Sequence, residues 1–158
     1  MNFNKHSILE GLHAPFSPSQ SSWLRYDDDK AVEVYLNKKA SEMGTRLHAW
    51  AKETIDLGIK QFFGTADAIC FRNNVLRIHD LKTGKTGKIE DHMDQLEIYA
   101  ALFCLEYKIK PGDIDMELRV YKNDEILVHN PTAEDILPIM DKIIHLDNIL
   151  RNLENEEV

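Results

Sequence analysis

Two aspartates and a lysine interrupt a stretch of sequence that otherwise has the apolar pattern of a β-hairpin. The stretch is GTADAICFRNNVLRIHDLKTGK, residues 64–85, and the three charged residues are Asp67, Asp80 and Lys82. Hard cations such as Mg²⁺ bind one or two carboxylates together with waters and substrate phosphates. A lysine beside such a cation would orient a water or stabilise charge on a phosphate. These residue types therefore suit metal-assisted chemistry on a phosphate ester.

The turn of this hairpin decides which side chains meet. Asn73-Asn74 predicts a two-residue loop, because asparagine tolerates the positive φ that a tight hairpin needs. That loop places Asp67 directly opposite Asp80, where Cβ atoms lie about 4.5–5.5 Å apart and like charges repel. A three-residue loop would shift this register by one. Strand alternation puts Lys82 on the face of Asp80, and the same face carries Ile69, Phe71, Leu76 and Ile78.

Two interpretations of these charges stay open on geometry alone. In the first, the hairpin end is a surface feature in which Lys82 pairs with an aspartate, since structural charge clusters are common. In the second, a divalent cation relieves the repulsion between the two carboxylates. A phosphate-binding P-loop is excluded, because Gly84-Lys85-Thr86 supplies only the end of that motif and His79 stands where its first glycine is required.

Several motifs in the same order resemble the RecB-like branch of the PD-(D/E)xK nuclease superfamily, which includes phage exonucleases. Asp67 followed by DLK at 80–82 resembles the D…(D/E)xK signature, and HDLKTGK resembles the D-Y-K-T-G of that branch. GTRLHAW supplies an upstream histidine, and DQLEIYA resembles a Q-x-x-x-Y helix. LHAPFSPSQSSWL resembles the opening of a phage subgroup. The resemblance runs from Leu12 to about Leu105.

The resemblance implies roles for the positions that match. Lys82 would position or activate the attacking water. Gln95 and Tyr99, four residues apart on one helix face, would support Lys82 or contact the DNA backbone. The implied ligands of one or two Mg²⁺ or Mn²⁺ ions are His48, Asp67, Asp80 and the backbone carbonyl of Leu81.

Plainer interpretations of the outlying residues stay open beside these roles. His48, among Leu47, Trp50 and Ala51, has the setting of a core or boundary residue, and Gln95 with Tyr99 also fits an ordinary helix boundary. Lys85 and Lys88 are candidates for contacting nucleic-acid phosphates, although scattered lysines are by default a solvated face. Asp91, His92 and Asp94 are typical first-turn residues of a helix.

The expected function is therefore a metal-dependent DNA nuclease, and in particular an exonuclease of phage or bacterial recombination, repair or processing. A recombination or single-strand-binding protein is a further expected kind of partner. The alternatives are an inactive relative that binds nucleic acid or protein, and a nuclease that acts on RNA. No iron–sulfur cluster is expected, because Cys70 and Cys104 lack the spacing of cluster ligands and suit small buried apolar positions.

The elements that must position these residues follow from periodicity and turn residues. We predict a helical stretch from about Lys30 to Leu57, strands over Gln61–Arg72 and Val75–Lys82, a helix over Asp91–Ile109, a hairpin turning at Asn123-Asp124, and a helix from Thr132 onward. This order predicts an α/β (α+β) fold with helices flanking a small mixed sheet. The resemblance implies a restriction-endonuclease-like core in one domain, residues 1–158.

Charge and hydropathy predict which partners and which cellular compartment the protein has. The net charge of −8 argues against broad non-specific binding to nucleic acid, although it allows a local basic groove. No apolar run is long enough to span a membrane, and the first residues lack the layout of a signal peptide. We therefore expect a cytoplasmic protein without a membrane partner, in the host cytoplasm if a phage encodes it.

Overall fold

The computed structural model of the chain describes residues 1–10, 12–41, 67–83 and 87–156. In these ranges the helices and strands are α1 Asp28–Ser41, β1 Ala68–Arg72, β2 Val75–Lys82, α2 Met93–Tyr107, β3 Asp115–Lys122, β4 Glu125–His129 and α3 Ala133–Glu156. Short 3-10 helices cover Ser7–Leu9, Ser21–Arg25, Ile89–His92 and Pro111–Asp113.

One four-stranded sheet, in the order β1-β2-β3-β4, organises these elements. Its outer pairs are antiparallel hairpins, whereas the two central strands β2 and β3 run parallel. A parallel pair needs a crossover connection, and α2 supplies it between β2 and β3. The predicted α+β fold with a small mixed sheet and flanking helices is confirmed.

Both hairpins turn where the sequence predicts. Asn73 and Asn74 have φ values of 54° and 58°, and Asn123 and Asp124 have values of 50° and 63°. Asparagine and aspartate adopt this left-handed region more readily than other residues with a side chain. The first turn sets the predicted register, with Ile69 opposite Ile78 and Phe71 opposite Leu76.

The hydrophobic core lies between one face of the sheet and the helices. Helix α2 packs on β2 and β3, α3 packs on α2, and α1 packs on α3. Strands β2 and β3 are buried through alternate residues, as expected for a sheet with one face on the core. Fully buried side chains from these layers include Leu76, Ile78, Leu96, Ile98, Leu118, Ile136, Ile143 and Leu146.

Two details differ from the sequence-based expectations. Helix α2 is shorter than predicted, because a 3-10 turn precedes it and Lys108, with a φ of 54°, ends it. Cys70 is exposed, so its predicted burial is wrong, whereas Cys104 is buried.

Across the described ranges, no helix has the length and apolar character needed to cross a lipid bilayer.

Candidate active site

The core face of β2 changes from apolar to charged at its carboxyl end. Leu76 and Ile78 are fully buried, and Asp80 and Lys82 continue the same alternating face. The side chain of Asp80 is only 4% exposed, and its Oδ2 lies 2.9 Å from Nζ of Lys82. The sheet therefore holds a carboxylate and an ammonium group together at the edge of the core.

Asp67 approaches this pair from the position just before β1. The ladder between β1 and β2 ends at Ala68 opposite His79, so Asp67 does not form a paired residue of the strand. Its exposed carboxylate instead accepts a hydrogen bond of 2.9 Å from the backbone N–H of Leu81. This bond fixes Asp67 beside Asp80 and next to the Leu81 peptide, as the predicted register requires.

The electrostatic setting disfavours the ionised form of Asp80. Burial is the largest cause and raises the pKa of this carboxyl above its ordinary value of 3.8. Lys82 acts in the opposite direction and lowers the pKa, while the nearby Asp67 carboxylate raises it. The net upward direction means that Lys82 alone does not offset the cost of holding this carboxylate out of water.

Helix α2 adds two further residues from its first turns. Nζ of Lys82 donates a hydrogen bond of 2.7 Å to Oε1 of Gln95, and Nε2 of Gln95 donates one of 3.3 Å to the hydroxyl of Tyr99. Gln95 and Tyr99 are both buried. The predicted helix-face pair therefore lies against Lys82, and one connected network runs from Asp80 through Lys82 and Gln95 to Tyr99.

The carboxylate pair suits a bound cation. Oδ2 of Asp80 is buried and makes no directed hydrogen bond, although it is in close ionic contact with Lys82. A divalent cation held by Asp67 and Asp80 would offset the repulsion between the two carboxylates. Among the described residues, these two are not part of a group of three or more His, Cys, Asp or Glu side chains that could hold a metal ion. The implied third ligand, His48, lies outside the described residues.

The predicted nucleic-acid contacts fall at the loop that follows β2. Lys88 is exposed, and its backbone N–H donates a hydrogen bond of 3.1 Å to Oδ2 of Asp91. Its side chain is thus accessible to a substrate without being part of the network around Lys82. Lys85 lies outside the described residues.

Two residues near this network were not singled out from the sequence as site residues. Lys122, at the end of β3, is paired in register with Lys82 and is 4% exposed. His92, taken from the sequence as an ordinary first-turn residue, lies with its Nε2 3.4 Å from Nζ of Lys122. Strand alternation could have found Lys122, because Met116, Leu118 and Val120 place it on the core face.

Opposite effects on stability are expected when the two partners of the ion pair are removed. Because the pKa of Asp80 is raised, the stability that this group contributes is complete below about pH 3.8 and is lost as the pH rises through the folded-state value. Asp80→Asn should therefore raise the melting temperature of the metal-free protein at pH 7. A gain of about 1 kcal/mol corresponds to about 2–4 °C for a chain of this size. Lys82→Met should lower the melting temperature, since it leaves a buried carboxylate without its cation.

Thermal melts in EDTA between pH 4 and pH 8 would check this, with the exposed Asp141→Asn as the matched control. The gain from Asp80→Asn should grow as the pH rises, whereas the control should change little at any pH. A melting temperature that falls in Asp80→Asn at pH 7 would contradict the electrostatic description of the site.

One family model matches residues 31–116, which is more than half of the 158-residue chain. That family is described as a protein of unknown function, DUF2800. The matched range includes Asp67, Asp80, Lys82, Gln95 and Tyr99, and it ends before Lys122. No solved structure matches the chain.

Proposed function

We propose that this chain, which belongs to the DUF2800 family of proteins of unknown function, is a divalent-metal-dependent nuclease that hydrolyses phosphodiester bonds in DNA. The resemblance of its motifs to the RecB-like nucleases supports DNA as the substrate and exonuclease action as the mode. It also supports a role in phage or bacterial recombination, repair or processing in the cytoplasm, alongside a recombination or single-strand-binding partner.

One observation carries the proposal, namely the convergence of four side chains from different parts of the chain. Asp67 precedes β1, Asp80 and Lys82 lie at the end of β2, and Gln95 lies in the first turn of α2. A salt bridge needed only for stability would favour exposed partners, because burying charges costs free energy that pairing does not fully return. A buried carboxylate with a raised pKa, beside a second carboxylate and a lysine, is instead typical of a functional site.

The proposed metal site consists of Asp67, Asp80, the backbone carbonyl of Leu81 and His48. A bound Mg²⁺ or Mn²⁺ ion would supply Lewis-acid chemistry, lowering the pKa of a water and stabilising negative charge on the phosphate. Asp67 is already oriented for metal binding, because the Leu81 N–H donates a hydrogen bond to its carboxylate. Asp80 would supply the second carboxylate and is in ionic contact with Lys82 at the same time.

Lys82 is proposed to act on the water or on the phosphate. An ammonium group has three N–H donors and no acceptor. Among the described residues, Asp80 and Gln95 account for two contacts of its Nζ. A donor that these two contacts do not use is left to a substrate oxygen or to the attacking water. Gln95 thus fixes the rotation of the ammonium group, and Tyr99 in turn fixes the amide of Gln95.

Gln95→Leu is expected to lower the cleavage rate by about 10- to 100-fold, the range found when an outer-shell hydrogen-bond partner at a metal site is removed. Tyr99→Phe should have a smaller effect, because Tyr99 contacts Gln95 at 3.3 Å and Gln95 remains in place to accept from Lys82. Rates at saturating Mg²⁺ for the two variants and the wild type would check the order. A Tyr99→Phe variant slower than Gln95→Leu would contradict the proposed direction of the network.

The proposed substrate class is tested by incubating the wild-type chain with linear and circular, single- and double-stranded DNA and RNA, each with and without Mg²⁺ or Mn²⁺. Cleavage of linear but not circular DNA would support an exonuclease. Cleavage of RNA alone would show that RNA, and not DNA, is the substrate. If the chain binds a nucleic acid without metal and cleaves none of them, the result would favour the inactive, nucleic-acid-binding relative.

A further inference from the structure

Lys122 is the second lysine on the core face of the sheet. The parallel register of β2 and β3 pairs it with Lys82, so that both side chains leave the same face from neighbouring strands. Such strands lie about 4.8 Å apart, which brings the bases of the two side chains close together. Lys122 is also more buried than Lys82, with 4% of the residue exposed. Two adjacent cationic side chains at the edge of a core need specific partners.

Two partners of Lys122 lie on the segment that leads into α2. Its Nζ donates a hydrogen bond of 3.0 Å to the carbonyl oxygen of Gly87 and lies 3.4 Å from Nε2 of His92. Gly87 has a φ of +82°, a conformation that favours glycine and that helps to aim its carbonyl at the lysine. Lys122 therefore ties this segment to the end of β3.

The contact between Lys122 and His92 determines the protonation state and the tautomer of the imidazole. An ammonium group only donates hydrogen bonds, so Nε2 of His92 has to be the acceptor. A histidine that accepts at Nε2 is neutral and carries its proton on Nδ1. Burial is the largest cause that lowers the pKa of His92, and the charges of Lys82 and Lys122 lower it further. Asp80 and Asp91 act in the opposite direction without reversing the shift.

We infer that Lys122 is a positioning residue of the proposed nuclease site, which acts by tying Gly87 to β3 and by holding His92 neutral, with Nδ1 protonated, within electrostatic reach of Asp80 and Lys82. The catalytic part of this inference rests on the proposed function. A neutral His92 adds no further positive charge beside the carboxylates that are proposed to bind a divalent cation. Lys122 thereby favours cation binding through its contacts with Gly87 and His92.

The tautomer of His92 in the wild-type protein is the first test. Nitrogen-15 NMR of metal-free protein with labelled histidine distinguishes a protonated Nδ1 from a protonated Nε2, and His92→Gln assigns the signal. The inference requires neutral His92 with the proton on Nδ1. Neutral His92 with the proton on Nε2 would overturn it, because Lys122 could not then donate to that nitrogen.

Two substitutions test the link between Lys122 and the charge of His92. In Lys122→Met the titration midpoint of His92 should move to higher pH, because a nearby positive charge is gone, whereas Lys122→Arg should leave it close to the wild-type value. A folded Lys122→Met protein with an unmoved His92 midpoint would overturn the inference.

The cleavage assay separates this inference from the proposed function. Lys122→Met should cleave DNA about 10- to 100-fold more slowly than the wild type, and the acidic limb of its pH–rate profile should move to higher pH. Lys142→Met is the matched control, because Lys142 also donates to a backbone carbonyl, that of Tyr26, on another part of the fold. A wild-type chain that cleaves no nucleic acid would overturn the proposed function and the catalytic part of this inference. An active chain in which both lysine variants lose activity equally would overturn the positioning role alone.

Discussion

Lys82→Met is expected to lower the rate of DNA cleavage by at least about 100-fold, the cost of removing one preorganised donor from a site where charge develops. The reason is geometric, since the ionic contact with Asp80 and the hydrogen bond to Gln95 hold the Lys82 ammonium group beside the proposed metal site. Methionine keeps most of the length and apolar contact of the side chain while it removes all three N–H donors. Single-turnover cleavage rates at saturating Mg²⁺ are the measurement.

The control for this variant has to separate lost chemistry from lost structure. Lys142→Met removes another partly buried lysine that donates to a backbone carbonyl, and it should retain the wild-type rate. Because Lys82→Met is expected to be less stable, the rates have to be measured well below its melting temperature. A folded Lys82→Met protein with more than about a tenth of the wild-type rate would contradict the assigned role.

Asp80→Asn is expected to weaken Mn²⁺ binding by at least about tenfold, which corresponds to about 1.4 kcal/mol. The substitution removes one anionic ligand from a pair and leaves Asp67 as the remaining carboxylate. Lys82→Met should leave Mn²⁺ binding intact or tighten it, since an ammonium group is not a ligand and its charge repels the cation. Calorimetric titration of Mn²⁺ into the metal-free proteins would measure both effects.

The difference between the two variants is the decisive feature of that titration. The exposed Asp141→Asn is the matched control for a change of one negative charge, and it should bind Mn²⁺ like the wild type. Equal losses in Asp80→Asn and Lys82→Met would mean that the lysine supports the shape of the site and has been assigned the wrong role. Wild-type affinity in Asp80→Asn would remove Asp80 from the metal site.

Local sequence patterns predicted the hairpins and the face that carries the charges. Asn73 and Asn74 fix the first turn, and a fixed turn leaves one register, from which the proximity of Asp67 and Asp80 follows. The contact between Lys82 and Gln95 could not be predicted from a local pattern, because it depends on where α2 packs against the sheet. Periodicity placed Gln95 on a helix face, and the motif resemblance related that face to Lys82.

Residues joined by the sheet topology were harder to predict. Lys122 is forty positions from Lys82 in the sequence, and only the parallel pairing of β2 with β3 brings them together. The error at Cys70 has a local cause. Cysteine is usually buried, but Ile69 and Phe71 face the core from the edge strand β1, so that Cys70 between them faces outward. Alternation along the strand was the better guide there than residue type.

The most direct test of the proposed function is cleavage of linear DNA by the wild-type chain in Mg²⁺ or Mn²⁺, compared with the same reaction in excess EDTA. Cleavage that appears with either cation, disappears with EDTA and returns when the cation is restored is the predicted result. Undiminished cleavage in EDTA would contradict a role for Asp67 and Asp80 as metal ligands, and the absence of cleavage under every condition would contradict the nuclease itself.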